Sequence, residues 1–111
     1  MNWIAILAAM SGALAVGAGA FGAHGASGPA ADWLKTGGQY QLIHAVAALV
    51  ALKMTAKGPA ALFVIGGLVF AGSLYLMALG APRWFGAITP LGGLLLIAGW
   101  LWLAWSATRG M

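Results

Sequence analysis

The sequence predicts an all-α membrane protein: four transmembrane helices in a compact bundle with short loops, forming one transmembrane domain over residues 1–111. Three observations carry this expectation. The chain is 63% hydrophobic, its mean hydropathy is +0.99, and only 5% of its residues are charged. A soluble domain carries about 25% charged residues, so lipid is the solvent that this surface fits. Glycine and proline clusters cut the apolar sequence into four segments, most of them near the ~20 residues that cross a bilayer. Tryptophans gather at the segment ends, where an apolar ring with a wet N–H is at home.

The first helix is expected over about residues 3–21. Met1-Asn2-Trp3 carries no basic side chain, so the segment reads as a retained span and not as a secretory signal, whose leading region is basic. Small residues recur every four positions, as Ser11, Ala15, Gly19 and Ala23, and again as Ala9, Ala13 and Gly17. In lipid such rows let helix backbones approach, either inside the monomer or between copies in a homo-oligomer. Gly22–Pro29 is a glycine-rich break. A short interfacial helix is expected over about 29–35, with Trp33 at headgroup depth. Thr36 and Gln39 have the spacing of a capping box, which starts a second helix over about 37–54. Gly58-Pro59 opens a third helix over about 59–79, and Gly80 with Pro82 closes it. Thr89-Pro90 then caps and starts a fourth helix over about 90–107, with Trp100, Trp102 and Trp105 as an interface belt.

Four spans put both termini on one side. That side carries Lys53, Lys57 and Arg109 against Lys35 and Arg83 on the other. Cytoplasmic termini follow from the excess of basic residues left inside. On this topology His24, Gln39, Tyr40, Gln41, Arg83 and Thr89 fall near the outer face, with His44 and Ser73 one or two turns deeper. Tyr40, Gln41 and His44 share one broad helix face through their three- and four-residue spacings.

A histidine inside a membrane is costly and therefore a functional hypothesis. Four readings of the cluster stand open. It can be a structural network in which His44 bonds a backbone carbonyl or Ser73. It can be an outward-opening site for a small polar or lipid ligand, lined by His24, Tyr40, Gln41, His44 and Arg83, with Arg83 suited to a phosphate or carboxylate. It can ligate haem or metal through His24 and His44. It can relay protons or ions through His44, in a small transporter or channel subunit that works as an oligomer. The expectation is a non-enzymatic protein with no cofactor. There is no paired carboxylate, no cysteine and no sensibly placed Ser-His-Asp set. Gly17–Gly22 has the glycines of a nucleotide fingerprint but no strand before it. The five basic residues are scattered, without the stripe that nucleic acid requires.

Four motifs carry a resemblance over nearly the whole chain. They are Gly19-Ala20-Phe21-Gly22-Ala23-His24; Trp33 and Thr36-Gly37 with Tyr40-Gln41 and His44-Ala45; Gly72-Ser73-Leu74-Tyr75-Leu76; and Ile88-Thr89-Pro90-Leu91-Gly92-Gly93. In this order and spacing they resemble the domain-of-unknown-function 423 family of small bacterial membrane proteins, which is similar to the animal transmembrane protein 256. The resemblance implies four transmembrane helices in a bacterial cytoplasmic membrane and no established activity. Its motif residues include His24, Tyr40, Gln41, His44, Ser73 and Thr89, the same residues that topology collects.

Overall fold

The structure is a computed structural model and describes residues 1–109. It holds four α-helices, α1 (Trp3–His24), α2 (Gly28–Lys53), α3 (Lys57–Ala78) and α4 (Thr89–Thr108), with a single 3-10 turn at Arg83–Ala87 before α4. Among the described residues three segments are long and apolar enough to cross a membrane: α1, α3, and Arg83–Thr108, which is α4 with its leading turn.

The largest departure from expectation is α2. There is no interfacial helix followed by a fresh start at Thr36; one helix of 26 residues runs from Gly28 to Lys53. Thr36 and Gln39 are exposed positions inside it, and its N-cap is Ser27, with extended backbone ahead of Pro29. The reason is packing. Buried residues Ala31, Leu34, Gly37, Gly38, Gln41, His44, Ala45, Ala48 and Ala51 recur at three and four without a change of phase, the mark of one continuous buried stripe. Gly37 and Gly38, which look like a break, are contact points. A Cβ on Gly38 would lie 2.9 Å from the Ala15 carbonyl oxygen of α1. A Cβ on Gly37 would lie 2.7 Å from the Tyr75 ring of α3. Asp32 and Lys35, inside the expected interfacial helix, belong to the first turns of this longer one.

The break expected over Gly22–Pro29 is narrower, because α1 runs on through Gly22 to His24; the stop after α3 behaves as read, and Thr89 changes role. Gly80 stands at φ +111 beyond α3, and the Ala81 N–H donates back to Leu76 at 2.9 Å. Thr89 does not cap α4 with its side chain; its hydroxyl is used elsewhere.

The helices form an open row. α2 packs extensively on α1 and on α3, α3 packs on α4, and α1 touches α3 more lightly. α4 packs extensively against α3 alone. A closed four-helix ring is therefore replaced by two central helices flanked by two outer ones. The core is mostly small: Ala8, Ala48, Ala51 and Ala60 surround Phe63, Val64 and Leu96. Gly92 is what brings α4 in. A Cβ there would fall 2.3 Å from the Phe70 backbone nitrogen, so only glycine permits this helix spacing.

Candidate functional site

Gln41 lies half-way along α2, and Tyr40 and His44 flank it by less than one turn. On this one continuous helix Tyr40, Gln41 and His44 lie 12, 13 and 16 residues from its first residue. His44 sits 16 residues along α2, about 24 Å from its start at 1.5 Å per residue. His24 is an exposed residue in the last turn of α1, beside that start. The two imidazoles do not meet, so a site built on both of them is not formed.

His44 is buried, with 6% exposure, and both its ring nitrogens are engaged. Nδ1 lies 2.7 Å from the Tyr40 carbonyl oxygen one turn back. That oxygen only accepts, so Nδ1 carries the proton. The Trp100 indole N–H of α4 donates to Nε2 at 3.0 Å. An indole only donates, so Nε2 is bare. These two partners together fix one neutral tautomer. The ring also packs against Phe63 at 5.7 Å and Trp100 at 5.8 Å between centroids. The expected alternative partner, Ser73, is occupied elsewhere.

Gln41 is buried to 2% exposure. Its Oε1 accepts from the Tyr75 hydroxyl of α3 at 2.6 Å, while its Nε2 has no partner among the described residues. Ser73 hydrogen-bonds the Phe70 carbonyl and shares a hydroxyl–hydroxyl bond with Thr89 at the start of α4. Three side-chain pairs thus cross between helices: Gln41–Tyr75 joins α2 to α3, Ser73–Thr89 joins α3 to α4, and His44–Trp100 joins α2 to α4. The last pair links two helices that share little other contact.

Tyr40 is different. The residue is 46% exposed, and its ring is stacked with His44 at 6.4 Å and tilted on Phe70 at 4.8 Å. Arg83 stands apart from the cluster in the 3-10 turn, with its guanidinium 5.9 Å from the Trp33 ring. Of the seven expected site residues, then, Tyr40, Gln41, His44, Ser73 and Thr89 take part in these three separate pairs or bond to a member of one. His24 and Arg83 belong to the helix-end surface. Tyr75 and Trp100 complete the set without having been anticipated as members. Tyr75 lies inside the Gly72–Leu76 motif, which was a signal for it. Trp100 reads from sequence as part of the interface belt with Trp102 and Trp105, and nothing in its own sequence context separates it from them.

A groove of about 290 Å³ opens beside the cluster, lined by Tyr40, His44, Phe70, Gly93, Leu96, Ile97 and Trp100.

The sequence profile described as "Protein of unknown function (DUF423)" matches residues 18–93. A UPF0382 membrane protein of Staphylococcus haemolyticus is 40% identical, with 93% of each chain covered. The UPF0382 membrane protein YwdK of Bacillus subtilis is 38% identical over 98% of each chain. The UPF0382 inner membrane protein YgdD of Escherichia coli K12 is 35% identical, covering 97% of this chain and 91% of its own. No solved structure matches. The chain belongs to the DUF423 family, a family of membrane proteins without an established function.

Proposed function

We propose that the protein is a non-enzymatic, four-span protein of the bacterial cytoplasmic membrane, and that its central polar residues lock the helices in register. The observation that carries this reading is the closed pairing of His44 with Tyr40 and Trp100. An imidazole whose two nitrogens are both committed inside the protein is a fastener; a relay or a ligand set needs at least one of them free. In hydrocarbon, helices gain little from hiding apolar surface against each other, so close backbone packing and interhelical hydrogen bonds hold them.

The four-span topology is supported by how α2 lies. Gly22 packs on Ala31 and Leu34, Gly38 on Ala15 and Gly19, and Gly12 on Ala45. α2 therefore tracks α1 antiparallel over most of its length, with α3 along its other side. Of its polar side chains, Gln41 and His44 are buried against protein partners, while Asp32, Lys35, Thr36 and Gln39 are exposed in its first half. A length of 26 residues gives about 39 Å, more than the ~30 Å hydrocarbon core. With both termini cytoplasmic, Lys53, Lys57 and Arg109 lie inside. The chain has no cysteine, so single-cysteine variants report cleanly. Ser27→Cys should react with an impermeant maleimide from the periplasmic side only, and Lys57→Cys from the cytoplasmic side only. Labelling of both from the same side would remove α2 as a span.

A second reading concerns copies of the chain. Ser11 and Ala15 of the first small-residue row are buried inside the monomer, but Ala9, Ala13 and Gly17 are exposed along α1. That row is the face a homo-oligomer would use. Ala13→Leu should leave the monomer folded and abolish any self-association seen by crosslinking in membranes.

A further inference from the structure

We propose that the His44–Trp100 pair is an acid-sensitive latch: a proton taken up by the His44 ring releases the Trp100 indole and parts α2 from α4. The proposal rests on the fastener reading and adds to it what undoes the fastener.

The tautomer dictates the chemistry. Nδ1 carries a hydrogen because it faces the Tyr40 carbonyl oxygen at 2.7 Å, and Nε2 is bare because the Trp100 N–H donates to it at 3.0 Å. Nε2 is therefore the nitrogen that takes an added proton. Once it has, two N–H groups face each other across that contact with no acceptor between them. The Tyr40 bond survives, since Nδ1–H still donates. Protonation thus breaks the tie between helices and leaves the bond within α2 intact.

No neighbouring group offsets the loss. The rings against the imidazole are Tyr40 on α2, Phe63 on α3 and Trp100 on α4. None is acidic, and Tyr40 is the one titratable group among them. α1 carries no charged side chain, and its His24 is exposed in the last turn. α3 carries Lys57 at its start and Tyr75, which is given to Gln41. α4 carries no titratable side chain. Asp32, the only acidic residue of the chain, stands 12 residues before His44 on α2, about 18 Å along the axis. The imidazolium gains no ion pair in exchange for the bond, and a buried charge without a partner is costly.

The fold decides what moves. α4 packs extensively on α3 alone, seated there by Gly92 against Phe70 and Gly99 against Phe63. Losing the pair therefore leaves α4 on α3 and separates it from α2, widening the groove lined by Tyr40, His44, Leu96 and Trp100. Protons have a short path to the ring. Exposed polar residues on α2 reach Gln39, about 7.5 Å along the axis from His44. Tyr40, stacked on the His44 ring, is itself 46% exposed.

The test is a pair of melts in detergent, at about pH 7.5 and about pH 5, the interval in which histidine serves as a switch. Every variant carries His24→Gln, which leaves His44 as the one imidazole of the two in the sequence. The bond's contribution is present at the higher pH and lost as pH falls. Trp100→Phe should therefore melt roughly 4 °C below its parent at the higher pH, and level with it or above it at the lower one, because acid has already removed the bond that the substitution deletes. The nitrogen-15 indole signal of Trp100 should move toward that of Trp105 as the pH falls, in step with the His44 ring signals. An equal gap at both pH values overturns the latch and leaves the fastener standing. No gap at either value overturns the fastener itself. If Trp100→Phe does not fold, the indole signal decides alone: a position that stays fixed across the range overturns the proposal.

Discussion

Trp100→Phe is the perturbation that isolates the lock. It keeps an aromatic ring beside Phe63, which now lies 4.7 Å away between centroids, and removes the one donor that reaches His44 Nε2. His44 remains buried with a bare acceptor. A buried acceptor stripped of its partner costs about 1–3 kcal/mol, while hydrogen bonds between transmembrane helices average nearer about 0.6 kcal/mol. Trp100 is itself 45% exposed, which places this case toward the lower end, at about 1 kcal/mol. For a chain of this size that is a fall of roughly 4 °C in the unfolding midpoint. The assay is thermal unfolding in detergent followed by far-ultraviolet circular dichroism, with Trp105→Phe as control, since the Trp105 indole N–H makes no hydrogen bond among the described residues. Combining Trp100→Phe with His44→Leu should cost less than the sum of the two, because they remove the same interaction. Equal midpoints for Trp100→Phe and Trp105→Phe, or strict additivity with His44→Leu, would refute the reasoning.

Other predictions follow from the same contacts. Gly92→Ala puts a Cβ 2.3 Å from the Phe70 nitrogen and should lower the midpoint far more than Gly93→Ala, as measured in the same melt. Thr55 holds φ +60 in the α2–α3 turn, where the Ala56 N–H donates back to Ala51 at 2.8 Å. A β-branched residue is strained there, so Thr55→Gly should stabilise by about 1 kcal/mol. Gln41→Leu combined with Tyr75→Phe deletes a bond together with an unpartnered buried amide. The double variant should melt at or above wild type, whereas Gln41→Leu alone leaves the Tyr75 hydroxyl without its acceptor and should melt lower.

The all-helical class, the glycine stop at Gly80 and the membrane class are legible in the sequence, because each rests on local composition. The single α2 was not. Thr36-Gly37-Gly38 reads as cap and break by the rules of soluble proteins, yet in a lipid-facing fold adjacent small residues serve as seats for neighbouring helices. Two glycines that touch Tyr75 and the Ala15 carbonyl cannot be told from a loop until those neighbours are placed. The same limit explains the site. Tyr40, Gln41 and His44 were found together because helix periodicity puts them together. Trp100 and Tyr75 were missed as partners because the register between helices is a tertiary property. His24 was joined to His44 on topology alone, and an unbroken α2 separates them.

The central claim, that His44 is a committed fastener, is tested most directly by nitrogen-15 NMR of the protein labelled at histidine and tryptophan. The account predicts that the His44 ring carries its hydrogen on Nδ1, that Nε2 is bare, and that the Trp100 indole proton is shifted by its bond to Nε2. A His44 ring with its hydrogen on Nε2, or a Trp100 proton that exchanges as freely as that of Trp105, would contradict it.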